Sequence, residues 1–315
     1  MNNFSKNQVN FYTVTEKDDA QRLDKLLCKI LKDVPKSYIY RIIRSGEIRI
    51  NKKRAEISTK VFLNDLIRIP PIESTGVAPK NVVNIPIGKF PILFEDEYFL
   101  IINKPSGVAC HGGSGVSFGV IEQLRKTRTT DKFLELAHRL DRDTSGILIL
   151  AKKRQALIKL QELIRGNKIR KHYLALTLGC INEDTKIVKA PLYKYMTKEG
   201  ERRVCVDKEN GQYAYTTFTI LKRFTDFTLV DANIKTGRTH QIRVHLQHIG
   251  YPIAMDDKYG DFDMNKKLSK IGLRRMFLHA YKIEFTHPIT DEKINIKSEL
   301  PIDLEKFING LALRT

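Results

Sequence analysis

The chain has 315 residues, 42% of them hydrophobic, enough for a substantial core in one large domain or two smaller ones. Its 55 Lys and Arg against 36 Asp and Glu leave a formal charge of +19, which points to a polyanionic partner, nucleic acid ahead of an anionic membrane surface. No apolar run approaches the roughly 18–20 residues of a membrane span, and the N-terminus has no signal-like apolar stretch.

Along residues 21–70, Leu23, Leu26, Leu27 and Ile30 recur at helical spacing and predict a short amphipathic helix. Ser37 is the candidate cap of a second helix, whose apolar side is Ile39, Ile42 and Ile43 and whose exit is Gly46. IRI at 48–50, the turn NKK and LIRI at 66–69 read as short strands. Basic residues crowd this segment, and Arg41, Arg44, Lys52, Lys53 and Arg54 share one exposed side. The plain reading is a solvated face; the sharper one is a surface that tracks phosphates. The strings RLDKLL and SYIYRIIRSGEIRINKK resemble the S4 RNA-binding domain, which implies a helix–turn–helix-plus-strands module over 21–70. Residues 1–20 are then an N-terminal extension, and the proline-bearing stretch 71–89 a linker.

From residue 90 to 315 the pattern is that of a second, larger domain. PILFEDEYFLIINKP predicts a strand pair, and ILILA at 147–151 a buried strand. QALIKLQELIRG (155–166) reads as an amphipathic helix stopped by Gly166. YLALTLG, AYTTFTIL and FTLVDANI read as further strands, and THQIRVHLQHIG (239–250) as a helix with Ile242, Leu246 and Ile249 on one side. Strands dominate and helices intervene irregularly, so the fold class expected is α+β with a mixed or antiparallel sheet. There is no internal repeat. The four cysteines, Cys28, Cys110, Cys180 and Cys205, form no CxxC pair and suggest neither a disulfide framework nor a thiolate metal site, so a reduced, cytoplasmic protein is expected.

Three stretches carry chemistry. In HRLDRDTSG, Asp141 on a tight polar turn at a sheet edge, faced by arginines, suits a nucleophile or base; a structural Asx-turn or salt bridge is the plain alternative. A glycosidase pair of Asp141 and Asp143 has poor geometry, because two positions on one turn leave no room for a sugar between them. KTGRTHQIRVH packs Lys235, Arg238 and Arg243 around a strand-to-helix junction that favours anions. His240, His245 and His248 raise a zinc site, but no cysteine or carboxylate completes a tetrahedral set. RKHYLALTLG sets Tyr173 among basic neighbours, where core packing competes with stacking on a base. HGGSGVSFG at 111–119 resembles a phosphate loop only loosely and reads as a loop lining the cleft, so no nucleotide cofactor is expected.

Together HRLDRDTSGILILAK, RKHYLALTLG and GRTHQIRVHLQHIG, with NKPSG, DDKYGD and FLHA in order around them, resemble the signature blocks of RluA-type pseudouridine synthases. The resemblance spans nearly the whole chain. It implies isomerisation of uridine to pseudouridine in RNA, without metal or cofactor, by an essential carboxylate at Asp141. Arg243 is implied as its ion-pair partner. Tyr173 is implied to contact the uracil ring and help deprotonate C5. Arg139 is implied to fill the space the extruded base leaves, and Arg238 and His240 to touch RNA. His138, Leu140, Thr144, Ser145 and Gly146 are implied to shape the turn, Thr144 and Ser145 by local hydrogen bonds. Within the family the likeness is to members acting on 23S (large-subunit) rRNA at three uridines, with a second S4-bearing rRNA-modifying type as the alternative. A monomer is expected. The rival class is a non-catalytic S4-containing RNA-binding or ribosome-assembly protein, which accounts for the charge but not for HRLD together with THQIR.

Overall fold

The computed structural model describes residues 8–31, 34–72, 86–112, 118–198 and 200–313. The chain divides into two units, 1–83 and 84–315, each with its own core.

The first unit runs β1 (Asn10–Thr13), a 3-10 turn (Glu16–Asp18), α1 (Leu23–Ile30), α2 (Lys36–Arg44), β2 (Arg49–Ile50), β3 (Lys53–Arg54) and β4 (Leu66–Ile69). Leu23, Leu26 and Leu27 of α1 meet Ile39, Ile42 and Ile43 of α2 over Ile67 and Ile69, all fully buried, as the helical spacing requires. Gly46, at φ +79°, leaves α2 through the left-handed region. Asn51 and Lys52 both have positive φ between the paired Ile50 and Lys53, so the two-residue hairpin turn is Asn51-Lys52 and the third residue of NKK opens β3. Two expectations change. The second helix starts at Lys36 behind Pro35, so Ser37 sits inside the first turn and not at the cap. Asn10–Thr13 pairs with Leu66–Ile69, so part of the expected extension belongs to the module's sheet; Phe11 is exposed on this edge, and the strand therefore lacked a clear apolar signal. Of the expected linker, 73–85 lies outside the described residues.

The second unit contains β5 (Ile92–Glu95), β6 (Phe99–Lys104), α3 (Val120–Thr127), β7 (Glu135–Leu136), β8 (Ser145–Ala151), α4 (Arg154–Arg165), β9 (Arg170–Leu178) and β10 (Thr185–Val188). There follow β11 (Leu192–Met196), β12 (Arg202–Val206), β13 (Thr216–Arg223), β14 (Phe227–Ile234), α5 (Gln241–His248), α6 (Phe262–Lys270), β15 (Leu278–Thr286), β16 (Lys293–Lys297) and α7 (Ile302–Asn309). The main sheet is ordered β10-β13-β14-β9-β15-β8-β6-β5, with β7 added on β8 and β16 on β15. Its pairs are antiparallel except β8 with β15, so the α+β class with a mixed sheet holds. Strand β8 is buried along its whole length. Leu148 and Leu150 pack on the side of α3 and α5, while Ile147, Ile149 and Ala151 pack on the side of α4. A strand covered on both faces reads as an unbroken apolar run, which is why ILILA does not alternate.

The parallel pair is tight where the chain enters it. Gly146 has φ +111°, and a Cβ built there would stand 2.2 Å from the Ala280 carbonyl oxygen, a backbone atom that cannot swing aside. Gly146→Ala is therefore expected to destabilise the second unit by about 3 kcal/mol, through overpacking and a strained φ. A melting temperature equal to wild type would show that β8 and β15 separate without cost.

Candidate active site

The turn that carries Asp141 is stapled from below by NKPSG. Lys104, at the end of β6, is fully buried, and its ammonium donates to the carbonyls of Pro105 (2.8 Å), Val108 (2.8 Å) and Arg142 (3.0 Å). Burial pushes its pKa down to about 8. Ser106 Oγ donates to the Asp143 carbonyl (2.7 Å), and Gly107 N–H to that of Arg142 (2.9 Å). The Cys110 thiol donates to Leu140 O (3.2 Å) and accepts Leu140 N–H (3.1 Å), fixing buried Leu140. Thr144 contributes its backbone N–H to Asp141 O (3.2 Å). The Ser145 side chain does not serve the turn as expected. It bonds His279 Nδ1 (2.9 Å) and accepts from Arg275 (3.1 Å), because Ser145 and His279 are partners in the β8–β15 register and their side chains share one face of the sheet. The turn itself stands at the end of an interior strand and not at a lateral sheet edge.

Against Asp141 stands α5. Arg243 Nη1 lies 3.5 Å from Asp141 Oδ2, joining residues about a hundred positions apart. The rest of the guanidinium is held elsewhere. Nε and Nη2 make a fork with both oxygens of Asp256, each at 2.7 Å, and Nη2 also reaches Asp257 at 3.2 Å. Asp256 is fully buried and accepts the N–H groups of Lys258 and Tyr259 as well, both at 2.9 Å. Burial alone would favour its protonation, but the Arg243 bonds outweigh it and its pKa lies below the usual carboxylate range. Burial likewise opposes the Arg243 charge, and Asp256 reverses the balance. The Tyr259 ring flanks the guanidinium, 5.0 Å from centroid to carbon.

His240 occupies the left-handed position before α5, at φ 54°, so the helix begins two residues later than the motif's apolar pattern predicts. Tyr259 Oη accepts the Val204 N–H (2.9 Å) and shares a hydrogen bond with His240 Nδ1 (2.7 Å). The other ring nitrogen, Nε2, lies 3.9 Å from Asp141 Oδ2. Burial lowers the His240 pKa and keeps the ring neutral. Gln241 closes the loop before the helix, accepting from Thr236 Oγ1 (2.8 Å) and Arg238 N–H (3.0 Å) and donating to Tyr215 O (3.0 Å).

Asp141, His240, Gln241 and Arg243 line one cleft of about 250 Å³, together with His138, Arg139, Lys171, Tyr173 and Arg238. Tyr173 is buried, and burial followed by the Asp141 charge pushes its phenol pKa well up. It remains a phenol at neutral pH, which suits contact with a ring better than removal of a proton. Arg139 and Arg238 are exposed at the mouth, the latter anchored through Nε to Tyr213 O (3.1 Å). His245 bonds Thr216 and the Ala190 carbonyl in the core, while His248 is exposed, so the three histidines of this stretch diverge. Among the described residues no group of three or more His, Cys, Asp or Glu suits a metal. In HGGSGVSFG, residues 113–117 lie outside the described residues; Gly112 and Gly119 on either side both donate to the Glu122 carboxylate. In the first unit Arg41, Arg44, Lys52, Lys53 and Arg54 are all exposed. Arg54 donates to Arg44 O (2.5 Å), Arg41 stacks on Tyr38, and Arg41 also lies 3.7 Å from Glu47.

Two neutral histidines, half-buried His138 and buried His279, give the second unit an acid weakness. His138 Nε2 accepts the Ile149 N–H (3.2 Å), and burial pushes its pKa down to about 3; His279, also through burial, titrates at about 4. Both are neutral when folded, while in the unfolded chain they take protons near pH 6.5. Their contribution is complete above about pH 6.5 and is lost as pH falls towards the folded values, at about 1.4 kcal/mol per pH unit for each. The melting temperature is expected to drop between pH 7.5 and pH 5, less steeply in His279→Asn. Equal melting at both pH values would contradict this.

Comparisons with known proteins give the family. The family model described as RNA pseudouridylate synthase matches residues 98–248, and that of the S4 domain residues 21–67. A Pasteurella multocida protein named ribosomal large subunit pseudouridine synthase C is 48% identical, over 96% of this chain and 94% of its own. An Escherichia coli K12 protein of the same name is 46% identical, over 96% and 97%. The solved structure of human RNA pseudouridylate synthase domain containing 1 superposes with a TM-score of 0.61 at 24% identity, over 73% of this chain and 91% of its own, a likeness of fold. Sheet, cleft and S4 module define an RNA-modifying enzyme. The chain belongs to the RNA pseudouridylate synthase family, and its activity is that of a pseudouridine synthase.

Proposed function

We propose that the protein converts specific uridines of 23S (large-subunit) rRNA to pseudouridine in place. The observation that carries this reading is the likeness along nearly the whole chain to relatives named for that subunit, and for the C type ahead of the alternative D type. The N1–C1′ bond breaks, the uracil turns, C5 bonds to C1′, and the hydrogen of C5 leaves as a proton while N1 gains one. Product and substrate are isomers, so the reaction calls for neither redox partner nor cofactor. A target base inside structured RNA must first be extruded, at a cost of a few kcal/mol. A cleft of about 250 Å³ suits one such base.

Asp141 acts on the ribose, at C1′ or at its 2′ proton, with Arg243 and neutral His240 beside it. Tyr173 packs on the uracil, and exposed Arg139 takes the place of the extruded base. Arg238 at the mouth, with Arg41, Arg44, Lys52, Lys53 and Arg54 of the S4 module, neutralises phosphates, so binding weakens steeply with salt. The reading takes the protein as a cytoplasmic monomer. Incubation with large-subunit rRNA transcribed without pseudouridine, followed by mapping of modified uridines, tests it. A small set of fully converted positions is expected. Tight binding without conversion of any uridine would favour the rival RNA-binding or assembly role.

A further inference from the structure

One cation of the cleft has no task in the account above. Lys171 precedes Tyr173 by two residues on β9, so both side chains leave the same face of the sheet, towards the cleft they line. Its ammonium lies beside Gly237, where an added Cβ would come within 3.7 Å of Nζ. The buried cations here are fully engaged: Lys104 by three carbonyls, Arg243 by three carboxylates. The Lys171 side chain is half-buried and has, among the described residues, neither an ion-pair nor a hydrogen-bond partner. Burial lowers its pKa, and its charge helps to keep neighbouring His138 neutral. An unpaired ammonium that is partly desolvated costs more to keep in a fold than one in open water. Asp141, the carboxylate of the cleft, is already taken by Arg243. Arg139 and Arg238 at the mouth are likewise without acidic partners, so the field along this wall is positive.

We propose that Lys171 is an oxyanion-binding residue of the cleft, whose ammonium receives a negatively charged oxygen of the bound RNA. Two sources share that chemistry. One is a phosphodiester oxygen next to the extruded nucleotide. The other is an oxygen of the uracil ring while it is detached: the N1–C1′ bonding pair leaves with N1, and the resulting negative charge spreads onto the ring oxygens until C5 bonds to C1′. Only the second source rests on the proposed reaction.

Full-length Lys171→Met and Lys171→Arg, compared with wild type, test the proposal. Binding to an unmodified large-subunit rRNA transcript is measured between 50 and 200 mM salt, pseudouridine formation in single turnover with enzyme in excess, and stability by thermal melting. Lys171→Met should melt at or above the wild-type temperature, because it removes an unpaired charge, and lose about tenfold or more in function. Lys171→Arg should keep most of it. A phosphodiester partner shows as weaker binding with a salt slope reduced by about one. A ring partner shows as unchanged binding with a slower single turnover. Binding and rate both within twofold of wild type would overturn the proposal, as would a fall in melting temperature that tracks the lost activity in both variants. If wild type binds the transcript but forms no pseudouridine, the proposed reaction fails; Lys171 is then judged on binding alone, and unchanged binding overturns its role.

Discussion

Asp141→Asn is expected to lower the single-turnover rate of pseudouridine formation by at least about 10⁴-fold while RNA binding stays within about twofold of wild type. The substitution keeps the shape of the side chain and removes only its charge and nucleophilicity. None of the hydrogen bonds that hold the turn uses the Asp141 carboxylate: they run from Lys104, Ser106, Gly107 and the Thr144 backbone to main-chain oxygens. Arg243 keeps Asp256 and Asp257 in the variant, so no buried charge is stranded and the melting temperature should hold. A loss confined to chemistry places Asp141 at the reacting atoms. Activity above about one per cent of wild type would move that role to another residue.

Asp256→Asn is expected to do the opposite, striking stability first and activity with it. Its carboxylate is fully buried and balances Arg243 through two 2.7 Å bonds, and it also receives two backbone N–H groups of the loop that carries Tyr259. Removing one partner of such a pair leaves a buried guanidinium short of charge, which costs about 3–5 kcal/mol. Arg243 and His240 both lose their settings, since Tyr259 orients the imidazole. The folded pKa of Asp256 is depressed, so its contribution is complete above the ordinary carboxylate value near pH 4 and is lost as pH falls through the folded value. Thermal melts should therefore show a large deficit at neutral pH that narrows in strong acid. Asp257→Asn, at a half-exposed position 3.2 Å from the same nitrogen, should cost well under 1 kcal/mol and serves as the control. Equal melting of both variants would show that the Asp256 fork does not hold Arg243.

The two cases mark how far the sequence was legible. Asp141 and Arg243 lie in conspicuous charged strings, and the alternation and helical spacing around them were strong enough to locate β8, β9 and α5. The groups that aim them were harder to see. Asp256 and Tyr259 sit in DDKYGD, which had no assigned role, because a pairing between a helix and a loop has no periodicity to detect. Lys104 had no role beyond its place in NKPSG, and Cys110 none; only the folded chain shows them clamping the turn from thirty or more residues away. Ser145 was misread for a related reason. A hydroxyl beside a catalytic turn suggests a local bond, but strand geometry sends it across to β15. Phe11 shows the limit at an edge, where an exposed side chain hides a real strand.

The pairing of β8 with β15 also bears on the order of events during synthesis. Ser145 and His279 are 134 residues apart, and the entry to β8 is completed only when that late strand arrives. Contacts of such long range form slowly, because loop closure precedes any reward. The S4 module draws its contacts from residues 10–72 and can fold as soon as they leave the ribosome. A nascent chain is thus able to hold RNA well before it is able to modify it.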